Sequence, residues 1–534
     1  MESKHNYLFY LLMVIGIFLL ISIPYASHYA YNWDAAQFSL GVKNYSIAQH
    51  QPHPPGYPIY ILLGQAFNFF LDNVNASLLW ITIFFAGLAV IFLFFLVMEI
   101  YPKKKSLAVA ASWLLICNPI FWFYREVALT YVVDAFAGIF LAWIFFKNKK
   151  NNDYFYLGAL ILGLLGGFRP TLIVLLFPAF LINIFYLSEH KIKKVLLAGL
   201  AMLFGILIWF SPMMMLTGGL KEYWQITNNL LSASAEETSV FKSAPLSATI
   251  EQIHTFISIL GIAINVLFLP LIISIYWFIK NKKYKKLSKN KFFWFLFLWL
   301  VPASSIYMLV HFGQAGYVLL LLPAYIILAL PGIELLNIKR FGRVIIVLLV
   351  LFEYSQFLLL DNKVNSPSTY QETNIWEKRI SRVDPWFFKF NYAMIRNNDI
   401  KTKYLIHEIR KNNNAKTMVL AVRNLLYTHS SGLSERNDEN FRQIMFYLPQ
   451  YAVYEVAPNR NFFIKGENYT TKNVFKNRIS FSDKINKIII LSEQIDEKDM
   501  PTNLSLMQQE GYYEGNLDGV DKFDFLGFEF NKQP

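Results

Sequence analysis

Long apolar runs alternate with short polar segments over the first 360 residues, after which the chain changes to an ordinary polar mixture. A helix needs about 20 apolar residues to cross the hydrocarbon core of a bilayer. Eleven runs approach or exceed that length, two of them being short: 7–24, 77–100, 106–124, 130–146, 154–167, 171–187, 195–216, 252–279, 292–310, 316–335 and 342–360. The pattern predicts a mostly α-helical, polytopic membrane domain over residues 1–360 and a separate soluble domain over residues 361–534.

The second domain shows helical and strand-like segments in turn. Lys403 to Lys411 and Asn440 to Leu448 have helical patterns, whereas Thr417 to Val422, Tyr451 to Val456 and Lys487 to Leu491 are rich in β-forming residues. Strands that alternate with helices indicate an α/β fold. We therefore expect a small soluble α/β domain at the C-terminus.

The basic residues of the membrane domain form short clusters between the apolar runs. Loops rich in lysine and arginine stay on the cytoplasmic side of a membrane. With the N-terminus inside, the eleven crossings place every cluster in the cytoplasm: 103–105, 147–150, 191–194, 280–291 and 339–343. We therefore expect a multi-pass protein of the cell membrane that starts with a retained signal anchor. Its first external loop, 25–76, and its C-terminal domain would be extracytoplasmic.

The same count decides the nature of residues 57–71, which are apolar enough to cross a membrane. If they crossed, the lysines at 103–105 would fall outside the cytoplasm, against the positive-inside rule. Prolines stand at the start of this segment, where a helix tolerates them. We therefore predict a juxtamembrane helix that lies at the outer surface.

Composition and charge support a membrane protein. The chain is 55% hydrophobic and only 16% charged, whereas soluble domains carry about a quarter charged residues. The net charge of +13 lies in the separate clusters and not along one face, which argues against a nucleic-acid partner. The single cysteine, Cys117, lies in an apolar run, so we expect neither a disulfide nor a thiolate metal cluster.

The first external loop carries the two most suggestive polar residues, Asp34 and His53. A carboxylate beside a membrane cavity is partly desolvated, which suits it to accept a proton from a hydroxyl group. The alternative is a solvated loop aspartate or a helix N-cap. His53 precedes Pro54 and Pro55, and its imidazole suits a phosphate oxygen, a metal or an acceptor, although it also suits the cap of the following helix.

Four more ionisable residues lie near the predicted outer ends of the spans: Arg125, Glu126, Asp134 and Arg169. Ionisable groups at membrane depth are costly and usually face a cavity. Glu126 and Asp134 are eight residues apart, so they share a face if the segment is helical. Arg169 follows two glycines and suits a lipid phosphate. The alternatives are an interfacial Arg125–Glu126 anchor and an Arg169 side chain that extends to lipid headgroups.

His311 and Gln314 lie in a predicted short external turn. They could contact a substrate, and an ordinary polar turn explains them equally well. The external loop 217–251 is rich in aromatic residues that suit a sugar, and Trp and Tyr are also expected at membrane interfaces. We treat Asp34, Glu126 and Asp134 as candidate catalytic residues. The candidate substrate- or phosphate-binding residues are His53, Arg125, Arg169, His311 and Gln314.

In their order along residues 1–340, these motifs resemble the GT-C superfamily of membrane glycosyltransferases, which includes protein O-mannosyltransferases and lipid A aminoarabinose transferases. The resemblance rests on Asp34, the His-Pro-Pro-Gly-Tyr-Pro string from His53, the stretch Glu126 to Phe136, the Gly-X-Arg corner at Arg169, and the run Gly316 to Pro323. The string from His53 is particularly similar to the O-mannosyltransferase-like branch.

This resemblance implies a GT-C-like fold and transfer of a sugar, a hexose or pentose, from a polyprenyl-phosphate donor to an extracytoplasmic protein, lipid or envelope glycan. Asp34 would be the general base of an inverting reaction. Arg169, with His53 or Arg125, would hold the phosphate that leaves. A divalent metal is compatible with these residues, but no motif requires one.

Two other functions fit part of the sequence. A transporter or flippase for lipid-linked glycans would carry ionisable residues through the middle of the membrane and show repeat symmetry. Here the charges lie towards one face and no repeat is visible. The other alternative is a non-catalytic envelope assembly protein whose C-terminal domain binds partners.

Overall fold

The structure is a computed structural model of the chain. It describes residues 2–149, 153–187, 190–241, 246–283, 285, 289–338, 340–360, 390–422, 440–457, 462–465, 478–492, 495, 500–501, 503–509 and 511–533. The predicted domain boundary at Leu360–Asp361 falls at the edge of these ranges, and Asp361 lies outside them.

The helices of the first 360 residues follow one another with short connections. They are α1 (Glu2–Ser22), α2 (Trp33–Lys43), α3 (Pro58–Leu71), α4 (Val74–Ile100), α5 (Lys105–Ile116), α6 (Pro119–Arg125), α7 (Tyr131–Asn148), α8 (Asp153–Leu165), α9 (Thr171–Leu181), α10 (Lys191–Thr217), α11 (Leu220–Thr238), α12 (Leu246–Ala263), α13 (Phe268–Lys280), α14 (Lys291–Leu309), α15 (Leu322–Ile338) and α16 (Arg340–Leu359). The C-terminal part adds α17 (Tyr392–Arg410) and α18 (Asn440–Tyr447).

Seven helices in the described residues are long and apolar enough to cross a membrane: α1, α4, α7, α10, α12, α14 and α16. An eighth span results if α5 and α6, bent by 65°, cross as one. Five shorter apolar segments lie between them: 58–71, 153–165, 171–186, 265–280 and 322–337. Each of the eleven predicted runs therefore coincides with one or more of these helices, but not each forms one continuous span.

Three predicted segments differ from the structure. The run 252–279 is two helices, because a 3₁₀ turn at Asn265–Leu267 separates α12 from α13. The Asn265 side chain accepts the N–H of Val266 at 2.6 Å, a local bond that competes with a continuous helix. The segment 217–251 contains helix α11 and is not simply a loop. Residues 316–335 start with a 3₁₀ turn at Ala315–Leu320 before α15.

The described residues cluster by contacts into two compact units whose segments interleave along the chain. One contains 1–27, 57–215 and 232–396, and the other contains 28–56, 216–231 and 397–534. The sequence predicts that the whole first external loop, 25–76, belongs to the membrane domain. In the structure its residues 28–56 contact the C-terminal part of the chain instead. The functional division into domains stays a prediction.

The first unit is a helical bundle in which α4 packs closely against α7. Aromatic rings fill this contact, since Phe92 lies 5.0 Å from Phe140 and 5.2 Å from Trp143, ring centroid to centroid. Rings in edge-to-face geometry bury a large apolar area and add about 0.5–1.5 kcal/mol per pair beyond it. Asp134 therefore lies at the start of a helix that packs tightly against α4.

The second unit contains the predicted α/β fold. Its strands are β1 (Thr417–Val422), β2 (Ala452–Ala457), β3 (Phe462–Lys465), β4 (Arg478–Ser482), β5 (Lys487–Leu491), β6 (Leu506–Gln509), β7 (Tyr512–Asn516), β8 (Lys522–Phe525) and β9 (Phe528–Gln533). The larger sheet has the order β3-β2-β1-β5-β7-β6, and the smaller has the order β4-β9-β8. The predicted strands β1, β2 and β5 form the parallel centre of the larger sheet.

Alternate residues of the central strands face two different cores. Met418 and Leu420 belong to the core shared with the smaller sheet, whereas Val419 and Ala421 pack against α17 and α18. This period of two is the geometry of a strand whose two faces are both covered. Helix α18 lies on the second face, next to α2.

Candidate functional site

Asp34 lies in the first turn of α2. Asn32 is the N-cap, and its side chain accepts the N–H of Ala35 at 3.0 Å. The capping role that we considered for Asp34 therefore belongs to Asn32. The Asp34 side chain keeps 22% of its surface exposed, so its carboxylate is accessible to a substrate.

His53 faces the same side of α2. Its Nδ1 lies 2.7 Å from Oε1 of Gln37 and 3.8 Å from Oδ1 of Asp34. Residues three apart on a helix share a face, which brings Asp34 and Gln37 together. Because an amide oxygen only accepts hydrogen bonds, Nδ1 carries the proton in this arrangement. His53 does not cap α3, whose N-cap is Tyr57.

The close approach of this loop to α2 depends on Gly41. A Cβ atom at Gly41 would lie 2.8 Å from Cδ of Pro52, closer than real Cβ contacts allow. His53 is the residue after Pro52, so the glycine sets how near the imidazole comes to the helix. The ring of Phe38 also contacts His53, at 5.5 Å between centroids.

A second histidine, His50, is buried beside this group. Burial, together with the nearby His53 and Arg442, lowers the pKa of His50 to about 3. A buried imidazole of low pKa stays neutral near pH 7. His50 is therefore a neutral neighbour of His53, which sequence reasoning missed because nothing marks it within the loop.

In the other unit, Asp134 and Arg169 form a buried ion pair through Oδ2 and Nη1. Asp134 lies in the first turn of α7, and Arg169 lies in the corner between α8 and α9. The Arg169 guanidinium lies over two aromatic rings, 4.7 Å from the centroids of both Tyr131 and Tyr317. Such cation–π contacts hold a guanidinium in one plane.

Arg169 retains hydrogen-bonding capacity. Among the described residues Asp134 is the one acceptor that bonds its guanidinium. The Arg169 side chain keeps 7% of its surface exposed, so its other nitrogens are the donors left for a ligand. Gly316 makes room for the ring beside them, because a Cβ there would lie 2.3 Å from Cγ of Tyr131.

His311 and Gln314 lie in the turn between α14 and the 3₁₀ turn that precedes α15. The His311 ring is 6.3 Å from the Tyr317 ring, which places it at the edge of the aromatic group around Arg169. Gln314 is the N-cap of the 3₁₀ turn but makes no side-chain capping bond. His311 is thus brought near the Arg169 pair, and the structure gives Gln314 no such contact.

The pair Arg125 and Glu126 differs, since both side chains are 0% exposed. Arg125 Nε donates to Glu126 Oε1 at 2.9 Å, and its Nη1 donates to the carbonyl of Ile116 at 2.9 Å. The chain between Arg125 and Tyr131 is not helical, so Glu126 and Asp134 do not share a helix face. The expected face fails because α6 and α7 are separate helices.

Metal ligands are not concentrated in either group. Among the residues that the structure describes, no three His, Cys, Asp or Glu side chains come together in a way that could hold an ion. The structure thus brings together Asp34 with His53, and Asp134 with Arg169. The partners Gln37, Tyr131 and Tyr317 were missed, although the i, i+3 spacing from Asp34 was a readable signal for Gln37.

Comparison with known proteins supports the resemblance seen in the sequence. Residues 45–196 match the family described as Protein O-mannosyl-transferase TMEM260 N-terminal domain. ArnT from Cupriavidus metallidurans bound to undecaprenyl phosphate has a TM-score of 0.56 at 8% identity, covering 95% of this chain and 97% of that chain. The chain has a GT-C-like fold. The apo state of the same ArnT gives a TM-score of 0.53 at 8% identity, with the same coverage.

An oligosaccharyltransferase from Archaeoglobus fulgidus in its apo form is less similar, with a TM-score of 0.47 and 10% identity over 80% of this chain and 63% of that chain. No curated protein sequence matches. The predicted GT-C-like architecture, a multi-pass helical membrane domain with a C-terminal α/β part, is confirmed. The matched segment 45–196 includes His53, Asp134 and Arg169 of this GT-C-like chain.

Proposed function

We propose that the chain is an inverting glycosyltransferase that moves a sugar from a polyprenyl-phosphate donor to an acceptor outside the cytoplasmic membrane. The acceptor is a hydroxyl group of a protein, a lipid or an envelope glycan. The GT-C-like fold and the O-mannosyltransferase family match support a sugar transfer. The undecaprenyl phosphate bound to the ArnT structure supports a donor of that class.

The base of this reaction would be Asp34. Its carboxylate is accessible, and His53 lies 3.8 Å away, hydrogen-bonded to Gln37. A carboxylate held within reach of the acceptor hydroxyl can take its proton as the new bond forms. This accessible Asp34–His53–Gln37 group is the observation that carries the proposal.

The donor phosphate would be bound by Arg169. A guanidinium is the side chain best suited to two hydrogen bonds to a phosphate. Its plane is fixed by Tyr131 and Tyr317, and one nitrogen is taken by Asp134. In this view Asp134 orients Arg169 and does not itself act on the sugar, and His311 contributes at the edge of the aromatic group around Arg169. A substrate contact by Gln314 stays a prediction.

The reaction balances with these groups alone. The acceptor hydroxyl gives its proton to Asp34, and its oxygen forms a bond to the anomeric carbon. The bond between that carbon and the phosphate oxygen breaks, and its electron pair leaves with the phosphate. Arg169 stabilises the negative charge that grows there, which is the term that lowers such barriers most. Attack opposite the leaving phosphate inverts the anomeric configuration.

Arg125 and Glu126 have no part in this proposal. Both are fully buried and paired with one another, so neither reaches a substrate without a rearrangement of α6. A role in the packing of the helical bundle accounts for them.

The first prediction tests the base. In purified protein supplied with a polyprenyl-phosphate sugar, Asp34→Asn should lower the rate of polyprenyl-phosphate release by about 10²–10⁴-fold, the usual contribution of a general base. Asp72→Asn is a matched control, because Asp72 is an external carboxylate at the end of α3 with φ 45°, a conformation that asparagine tolerates.

An Asp34→Asn protein that releases and transfers sugar at the parental rate would show that this carboxylate is not the base. If the parental protein instead moves the intact donor across a vesicle bilayer without releasing sugar, the flippase alternative replaces the transferase.

A further inference from the structure

The segment that leads into α2, residues 28–32, has no regular secondary structure. Its peptide groups therefore need partners from elsewhere in the molecule, since buried backbone groups without a hydrogen bond are costly. These partners fix where α2, and with it Asp34, begins. They come from helices α17 and α18 near the other end of the sequence.

Asp399 of α17 supplies the first contact. Its Oδ2 accepts the N–H of His28 at 2.8 Å, and its Oδ1 accepts the N–H of Tyr29 at 3.1 Å. A carboxylate that accepts two backbone N–H groups forms a charge-assisted pair of bonds, stronger than neutral ones. Both oxygens of one side chain thus hold two successive residues of the segment.

Two residues of α18 supply the next contacts. The hydroxyl oxygen of Tyr447 accepts the N–H of Ala30 at 2.7 Å. The Gln443 amide nitrogen lies 3.3 Å from the carbonyl oxygen of Ala30 and 3.4 Å from that of Tyr31. The rings of Tyr29 and Tyr447 also meet, 5.3 Å apart at their centroids.

The last contacts lie beside Asp34 and at the far end of the same loop. Trp33 packs against Phe441, 5.8 Å between ring centroids. The Arg442 guanidinium lies 5.4 Å from the Trp33 ring, and its Nη2 donates to the carbonyl of Gln49 at 3.3 Å. Arg442 therefore bridges the start of α2 and the stretch that leads to His53.

We infer that Asp399, Gln443 and Tyr447 are positioning residues that hold the start of α2 so that Asp34 meets the acceptor in a productive geometry. This inference rests on the proposed function for its link to catalysis, but not for the contacts themselves. The C-terminal part of the chain is then a component of the catalytic loop and not only a surface for acceptor binding. We call these three residues the α2 anchor.

Loss of the α2 anchor should lower the turnover rate, kcat. A small displacement of a catalytic group lowers turnover far more than it lowers affinity, because near-attack geometry acts in the transition state. Loss of the anchor should therefore reduce kcat while KM for the lipid-linked donor stays nearly constant. If the C-terminal part only bound the acceptor, the same variants would raise the KM for the acceptor and leave kcat nearly constant.

The experiment compares two single-atom changes in neighbouring tyrosines of the full-length protein. Tyr447→Phe removes the hydroxyl that accepts from Ala30. Tyr451→Phe is the matched control, because its hydroxyl donates to Ile409 and Asn412 carbonyl oxygens and those bonds stay within the C-terminal part. Asp399→Asn tests the contact with His28 and Tyr29, since asparagine keeps the shape of the Asp399 side chain and removes its negative charge.

The first readout is backbone hydrogen exchange, which needs no turnover. In Tyr447→Phe and Asp399→Asn, the amides of Ala35 and Ala36 in the first turn of α2 should exchange about threefold to tenfold faster, as expected for loss of one or two net hydrogen bonds. These amides do not bond the altered side chains, so faster exchange reports displacement of α2. Tyr451→Phe should leave both amides at the parental rate.

The second readout is steady-state transfer with a polyprenyl-phosphate sugar. Tyr447→Phe should lower kcat about tenfold with the donor KM within about twofold, and the double variant with Asp399→Asn should lose more. Equal exchange at Ala35 and Ala36 in the Tyr447 and Tyr451 variants would overturn the anchor. Faster exchange with an unchanged kcat would show that the α2 anchor holds α2 in place, but that its loss does not impair Asp34 as the base.

Discussion

The described residues of the first unit include two buried arginine–carboxylate pairs that differ in what surrounds them. Arg125 and Glu126 are fully buried, and the unpaired Nη2 of Arg125 is buried as well. Arg169 pairs with Asp134, yet its side chain keeps 7% of its surface exposed. Both pairs are rich in aromatic contacts, with Phe18 and Trp122 around the first and two tyrosines around the second.

The difference teaches which buried charges are candidates for function. Burial of an ion pair is costly and is by itself weak evidence of any role. The two pairs differ in whether the arginine keeps any exposed surface that a ligand can contact. By this criterion Arg169 suits a phosphate and Arg125 does not, although the sequence places both beside apolar runs with equal prominence.

The largest effect should come from breaking the enclosed pair. Arg125→Met leaves the Glu126 carboxylate buried without its partner, and the loss of one member of a buried pair costs about 3–5 kcal/mol. We expect little folded protein and a lowered midpoint of thermal unfolding in detergent. Replacing both residues, as Arg125→Met with Glu126→Leu, should recover most of that loss. An Arg125→Met protein of parental stability would contradict the enclosed-pair view.

The next effect concerns the open pair. The double variant Asp134→Asn with Arg169→Gln replaces both buried charges with neutral polar side chains and leaves neither charge unpaired, so folding should largely survive. Undecaprenyl phosphate should raise the unfolding midpoint of the parental protein, as any ligand of the native state does, and should raise that of the double variant much less. The Arg125→Met, Glu126→Leu protein is the control and should keep the parental response. Equal responses in all three proteins would remove Arg169 from the phosphate site.

The smallest effect tests the rings around Arg169. Tyr317→Leu removes one of the two cation–π contacts, each of which contributes about 0.5–2 kcal/mol. We expect undecaprenyl phosphate to bind roughly 2–30-fold more weakly, the equivalent of that range. Tyr317→Phe keeps the ring and should bind nearly as the parent does. If both variants bind equally, the ring does not hold the guanidinium.

Much of the fold was readable from the sequence, with identifiable limits. Apolar runs and lysine clusters located the helices, and alternation in the C-terminal part located β1, β2 and β5. The break at Asn265 was missed because one polar residue barely changes the hydropathy of a long run. Strands β3, β4 and β6 to β9 were not predicted; of these, Leu506 to Gln509 is mostly exposed and so carries little apolar signal.

The candidate site was readable only in part. Asp34, His53, Asp134 and Arg169 stand out as polar residues among apolar or proline-rich neighbours, so the sequence marks them. Gln37 does not stand out, and it was missed although it receives the hydrogen bond from His53. A catalytic role for Glu126 stays a prediction; the structure encloses this carboxylate with Arg125, which the sequence does not reveal.

The sequence by itself determined that this is a polytopic membrane protein with a C-terminal α/β domain. Hydrophobic periodicity and the placement of charges indicate which residues contact lipid, water or the protein core. The sequence also marked the residues of unusual chemistry. Only the tertiary structure decided the partners: Arg169 meets Asp134 across 35 residues, and Tyr447 meets Ala30 across 417. Local patterns record the environment that a side chain requires, and long-range pairing depends on how whole helices pack, which no single segment encodes.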